Sequence, residues 1–149
     1  MKRIVSILMI TAAILGGSMS ADVQAGNNSK ERTSKSVSNQ TLKSVFQSNI
    51  GKYPTSVRLL DKPALKNRLI RLIGAQKYAT MKKYWQVETP IEFSNWNFYT
   101  SGFEAHNAGE NEFEISYNPE TDNLCVKYII GGRMSIYKEK SGNAYWDYQ

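Results

Sequence analysis

The hydrophobic residues of this chain change their spacing once, near Pro90, and the change divides the fold into two kinds of structure. Before it, apolar side chains recur at three and four residues. Leu42, Val45, Phe46 and Asn49 share one face of a short helix within Thr41–Ile50, closed by Gly51. Asp61-Lys-Pro63 opens a second helix, with Asp61 read as its cap and Pro63 in the first turn. Leu65, Leu69, Ile70, Leu72 and Ile73 form its apolar stripe, stopped by Gly74. A third helix, from Ala75 to about Gln86, turns Tyr78, Met81 and either Tyr84 or Trp85 inward.

After Pro90 the period is two. Ile91, Phe93, Trp96 and Phe98 read as one strand region with a turn at Ser94-Asn95. Phe113, Ile115 and Tyr117 alternate with Glu112, Glu114 and Ser116, a half-buried strand. Asn118–Asn123 is a turn, Leu124–Ile130 a strand, Gly131-Gly132 a two-residue hairpin loop, and Arg133–Lys138 its return strand. Helices followed by a meander give an α+β fold, with N-terminal helices packed on an antiparallel sheet. The helical stripe is expected to meet Phe113, Ile115, Val126, Tyr128 and Ile136.

The N-terminus carries a different signal. Lys2 and Arg3 precede an apolar run, Ile4 to Leu15, and Val23-Gln-Ala25 fits a small-residue cleavage site before Gly26. Those are the three parts of a secretory signal peptide. The run is far shorter than the roughly 20 residues that span a bilayer, so a stable membrane anchor is not expected. Residues 1–25 are read as the signal, 26–40 as a flexible linker almost without apolar residues, and 41–149 as a single domain. The expected location is periplasmic or secreted. Cys125 is the sole cysteine, so no intrachain disulfide forms and an apolar core must hold the domain together.

Little in the sequence offers catalysis. One histidine and one cysteine do not make a zinc site. Cys125 lies among apolar residues that disfavour a thiolate. No glycine-rich phosphate loop and no nucleophile elbow are present, and Glu110, Glu112 and Glu114 read as a solvated strand edge. The chain is therefore read as no enzyme, with no cofactor and no metal. Residues 30–83 hold thirteen Lys/Arg against two acidic residues, whereas 84–149 hold four against ten. Such a basic segment can neutralise phosphates, but an exported protein seldom meets nucleic acid, and solvated helix faces explain the same lysines. A protein partner is the better expectation.

The segment between two strands holds the one remaining candidate: Ser101, Gly102, Phe103, Glu104, Ala105, His106, Asn107, Ala108, Gly109 and Glu110. It includes the only histidine. Here the chain resembles the bacterial inhibitors of vertebrate lysozyme, the Ivy type. In that family a strand leads through Ser-Ala-Cys into a Lys-Pro-His-Asp-Cys-Gly loop. Ser101, His106 and Gly109 match in register, and Asn107 stands where the family has Asp. Phe103 and Ala108 replace the two cysteines, so the loop disulfide is missing. The resemblance implies that these ten residues bind a partner, a lysozyme or another peptidoglycan hydrolase, by inserting His106 into its cleft. Glu104, Glu110, Glu112 and Glu114 would form an acidic rim that steers a basic enzyme. An envelope binding or scaffolding domain with a non-lysozyme partner is the alternative.

Export gives a direct check. Intact-mass measurement on the exported protein is expected to find a mature chain starting at Gly26, with cleavage after Ser20 or Ala21 as the neighbouring alternatives. A product that keeps Met1–Leu15 removes the signal-peptide reading.

Overall fold

A computed structural model describes residues 40–148; the signal-peptide reading and all but the last residue of the linker lie outside them. Helix α1 (Leu42–Gln47) is capped by Thr41, whose hydroxyl accepts from the Ser44 N–H at 3.2 Å. Helices α2 (Pro63–Ile73) and α3 (Ala75–Tyr84) meet at Gly74, which adopts a positive φ of 86°. Strands β1 (Val87–Glu88), β2 (Glu92–Ser94), β3 (Asn97–Phe103), β4 (Asn111–Asn118), β5 (Asn123–Ile130) and β6 (Arg133–Lys138) follow. They build one antiparallel sheet in the order β1-β3-β4-β5-β6, and β2 pairs with the other end of β3. The fold is α+β, as the change of period implies.

The helices lie on one face of the sheet. Leu65 and Leu69 are fully buried there with Phe113, Ile115, Leu124 and Val126. Phe46 of α1 stacks on Phe98 and on Tyr117, each at 5.6 Å. Arg68 crosses from α2 to the sheet. It bonds the Asp122 carboxylate at 2.6 Å and both oxygens of Glu139, and its guanidinium lies 5.4 Å over the Tyr117 ring. That pairing holds the Asp122 carboxyl below its ordinary range and raises the Arg68 guanidinium further.

The sequence reading needs three corrections. Asp61 does not cap α2: it ends a 3-10 turn, Leu59–Asp61, and its carboxylate pairs with Lys82 of α3. Lys62 occupies the cap position without a capping hydrogen bond from its side chain, while Pro63 sits in the first turn as expected. Trp96 is not in a strand. Asn95 and Trp96 form the two-residue β2–β3 loop, both at positive φ, which leaves Trp96 71% exposed. Of the two aromatics the sequence left open, Trp85, just beyond the end of α3, is the buried one, and Tyr84 is half-buried.

Ile136 is the third correction, and register is the reason. The Gly131-Gly132 loop aligns Ile130 with Arg133, so Tyr137 lies opposite Val126 on the helix side. Ile136 then falls on the other face, 45% exposed. Part of that second face is covered by a C-terminal 3-10 turn, Tyr145–Tyr148, which periodicity did not reveal. Tyr145 stacks on Tyr99 at 3.7 Å, and its N–H donates to the Ser116 hydroxyl at 2.9 Å.

The buried stripe of α2 sets an expected stability loss. Leu69→Ala should cost about 2–5 kcal/mol, the range for a fully buried leucine. Urea titration should show a lower midpoint with an unchanged slope. A loss below about 0.5 kcal/mol would place α2 outside the cooperative core.

Candidate partner-binding loop

The ten candidate residues divide into a rigid base and a loop. Ser101, Gly102 and Phe103 belong to β3, opposite Glu114, Phe113 and Glu112 of β4. The connection proper is shorter than the span read from sequence: Glu104 to Glu110. Its tip residues, His106 to Glu110, are all exposed.

The base is set by one close approach. A Cβ on Gly102 would lie 2.2 Å from the Trp85 ring, so only glycine fits there. The indole sits against the strand, and its Nε1 donates to Glu88 Oε2 at 2.8 Å. Immediately after Trp85 the chain becomes β1, pairing Val87 with Phe103 and Glu88 with Gly102. Gln86 sits between. Its N–H donates to the Phe103 carbonyl at 3.1 Å, and its side-chain oxygen accepts the Ala105 N–H at 3.1 Å.

The loop itself is closed by polar groups. Glu104 Oε2 accepts from the Asn107 amide at 2.8 Å and from the Asn111 amide at 2.5 Å. Those two donors, Asn111 first, hold the Glu104 carboxyl below its ordinary range. The backbone repeats the closure, with Asn107 N–H to the Glu104 carbonyl and Glu104 N–H to the Asn111 carbonyl. The Gly109 N–H reaches Glu112 Oε2 at 3.2 Å. On the far side, the β5–β6 hairpin buttresses the loop: the Gly132 N–H donates to the Glu110 carbonyl at 3.1 Å.

His106 sits in the left-handed region at φ 65°, where histidine is one of the more tolerated side chains. Among the described residues its imidazole makes no hydrogen bond and no ion pair. The turn's internal bonds are supplied by Glu104, Asn107 and Asn111 instead. The acidic surround is smaller than the sequence implied. Glu114 pairs with Lys127 at 2.8 Å, and Glu110 stands in the turn ahead of β4 rather than on the strand. Glu104, Glu110 and Glu112 remain around the tip. Sequence reasoning missed Trp85, Gln86 and Asn111 as supports; Gly102 within a strand was the available sign of a close contact.

Cys125 is buried, and desolvation pushes its thiol up to about 11, which suits packing and not nucleophilic chemistry. Among the described residues no three His, Cys, Asp or Glu side chains gather as a metal site, and no helix is long and apolar enough to cross a membrane.

A family model described as inhibitor of vertebrate lysozyme (Ivy) matches residues 64–147. The chain belongs to the Ivy family. The match begins in the first turn of α2, takes in the whole sheet and loop, and ends in the C-terminal turn. Ivy proteins are named for inhibition of an enzyme, an act of protein binding and not of catalysis. No curated protein and no solved structure matches the chain.

The polar closure can be tested without a partner. In Glu104→Ala, amide exchange at Asn107, Glu110 and Asn111 should accelerate while the unfolding midpoint stays nearly constant. In the unaltered protein the same loosening should appear on acidification. The folded carboxyl titrates lower than the free one, so its bonds are intact above about pH 4.3 and are lost as pH falls through the lowered value. Unchanged exchange in the variant would mean that the backbone turns hold the loop unaided.

Proposed function

We propose that this protein is exported, to the periplasm or beyond, and inhibits a lysozyme by inserting the loop Glu104–Glu110, with His106 at its tip, into the enzyme's cleft. Ser101, Gly102 and Phe103 act as the strand base of that wedge. On this reading residues 1–25 direct export, 26–40 are a linker and 41–149 form the one binding domain. The observation that carries the proposal is the exposed, unbonded imidazole of His106 on a loop braced by Glu104, Asn107, Asn111 and Gln86.

The chemistry follows from the target. A lysozyme cleft presents an acidic pair, and an imidazole N–H can donate to one of those carboxylates, more strongly when the ring is protonated. Nothing within the loop competes for the imidazole. Glu104, Glu110 and Glu112 give the tip a negative surround, which favours encounter with a basic enzyme. The family's loop cysteines are absent at Phe103 and Ala108, yet the Glu104 bonds and the Gln86 brace order the loop before binding, so less ordering entropy is left to lose on contact.

Calorimetric titration and cell-wall lysis with c-type and g-type lysozymes test the proposal. The unaltered protein is expected to bind and inhibit at least one of them. His106→Ala should weaken that binding by roughly 1.5–3 kcal/mol, about ten- to a hundredfold, with the fold intact. Absence of binding to either class would remove the inhibitor reading and leave the alternative, a different envelope protein as partner. Binding that His106→Ala does not weaken would move the contact elsewhere on the domain.

A further inference from the structure

Strand β6 ends the sheet, and its outer edge has no partner among the described residues. The turn chemistry fixes which backbone groups lie on that edge. Gly131 and Gly132 have φ of 57° and 70°, a two-residue loop whose flanking residues, Ile130 and Arg133, exchange both hydrogen bonds. Alternation continues along the pair, and the Glu139 N–H bonding the Leu124 carbonyl at 3.0 Å keeps the same parity. The N–H and C=O groups of Arg133, Ser135 and Tyr137 therefore point to β5, and those of Met134, Ile136 and Lys138 point outward.

The two faces beside this edge differ in chemistry. On the helix side a groove of about 410 Å³ runs between α3 and the strand, with Lys77, Arg133, Tyr128 and Tyr137 in its lining and no carboxylate. Lys77 lies 6.0 Å over the Tyr137 ring, and neither Lys77 nor Arg133 has an ion-pair partner among the described residues. On the opposite side Met134 is 60% exposed next to the exposed Ile136. An open, partly apolar edge of this kind invites another strand.

We propose that β6 binds an extended acidic segment of another protein by strand addition, its carboxylates facing Lys77 and Arg133 and its alternate aliphatic side chains covering Met134 and Ile136. Main-chain bonds to Met134, Ile136 and Lys138 supply affinity, and the two faces supply selectivity. The sign of the groove decides among occupants. A second copy paired edge to edge would set two cationic grooves on one face of a continuous sheet. The chain's own residues 26–39 carry Lys30, Arg32 and Lys35 against Glu31, again the wrong sign.

Fluorescence anisotropy with a labelled, end-capped peptide Glu-Val-Glu-Val-Glu, and with Lys-Val-Lys-Val-Lys as control, tests the proposal on the purified protein. The acidic peptide should bind saturably and the basic one should not. Ile136→Pro removes an outward N–H but no ladder bond, and should weaken binding by about tenfold. Ile136→Thr keeps the N–H and should bind nearly as the unaltered protein does. Lys77→Glu combined with Arg133→Glu should reverse the preference between the peptides, and decides the matter alone if the proline variant does not fold. Equal binding of both peptides, no binding of either, or an unaltered affinity in folded Ile136→Pro overturns the proposal. A dimer in sedimentation that Ile136→Pro dissociates would overturn it in favour of a second copy. Lysozyme titration of the same variants keeps this outcome separate from the loop reading, since neither reading requires the other.

Discussion

Trp85 against the bare backbone of Gly102 is the contact on which the base of the Glu104–Glu110 loop depends. It lies where α3 stops, and the indole holds that helix end to β3 at a point where no other side chain would fit beneath it. Three further features follow. The chain after Trp85 is delivered beside β3 as β1, so the strand that leads into the loop is paired on both sides at Gly102 and Phe103. Gln86 is placed to bond Ala105. Glu88, two residues on, accepts from the indole and also from the Thr55 N–H and hydroxyl, which ties in the segment before α2. A larger residue at position 102 would displace all of these together.

Above that base, the loop is closed by a means unlike a disulfide. A covalent bridge acts largely by constraining the unfolded chain, typically about 2–4 kcal/mol, and stays closed whatever the pH. The Glu104 carboxylate with its two asparagine amides acts only in the folded state. Such a closure exchanges with water and titrates with the carboxyl. The loop is thus ordered locally without adding much to global stability, which falls instead to the apolar layer under α2. The same bonds engage Glu104, Asn107 and Asn111 and leave the His106 imidazole out of the turn's internal bonding.

How much was legible in the sequence follows from the range of each interaction. The helices and strands could be read because periodicity is a property of neighbouring residues: Leu65 and Leu69 at one spacing, Phe113 and Ile115 at another. Ile136 was misplaced although the two-residue Gly131-Gly132 loop was read correctly: that count already sets Ile136 opposite Lys127, on the face away from Val126 and Tyr128, and it was not carried across the hairpin. Trp96 was read as a strand residue because aromatics favour strands, yet here it occupies a loop position at positive φ. Within the loop, His106 and Gly109 stood out locally. The bond from Ala105 to Gln86 joins residues far apart in sequence, and no pattern in either segment announces it.

The opposition of charge between the two halves of the chain is resolved partly inside the fold. Arg68 of the basic segment is consumed by Asp122 and Glu139 of the acidic one, with only 14% of its side chain exposed, and Lys43 faces Glu120 at 3.5 Å. Lys127 and Lys138 neutralise Glu114 and Asp147 within the acidic half. What is left over is unevenly placed. Glu104, Glu110 and Glu112 remain at the loop, while Lys77 and Arg133 remain in the groove at the β6 edge, just beyond the hairpin that buttresses the same loop. On the two proposals, opposite residual charges on adjoining surfaces would steer different partners, because a basic enzyme drawn to the loop would be repelled by the groove and an acidic strand would be treated in the reverse sense. The hairpin Gly131-Gly132, bonded to Glu110 on one side and opening β6 on the other, is the boundary between them.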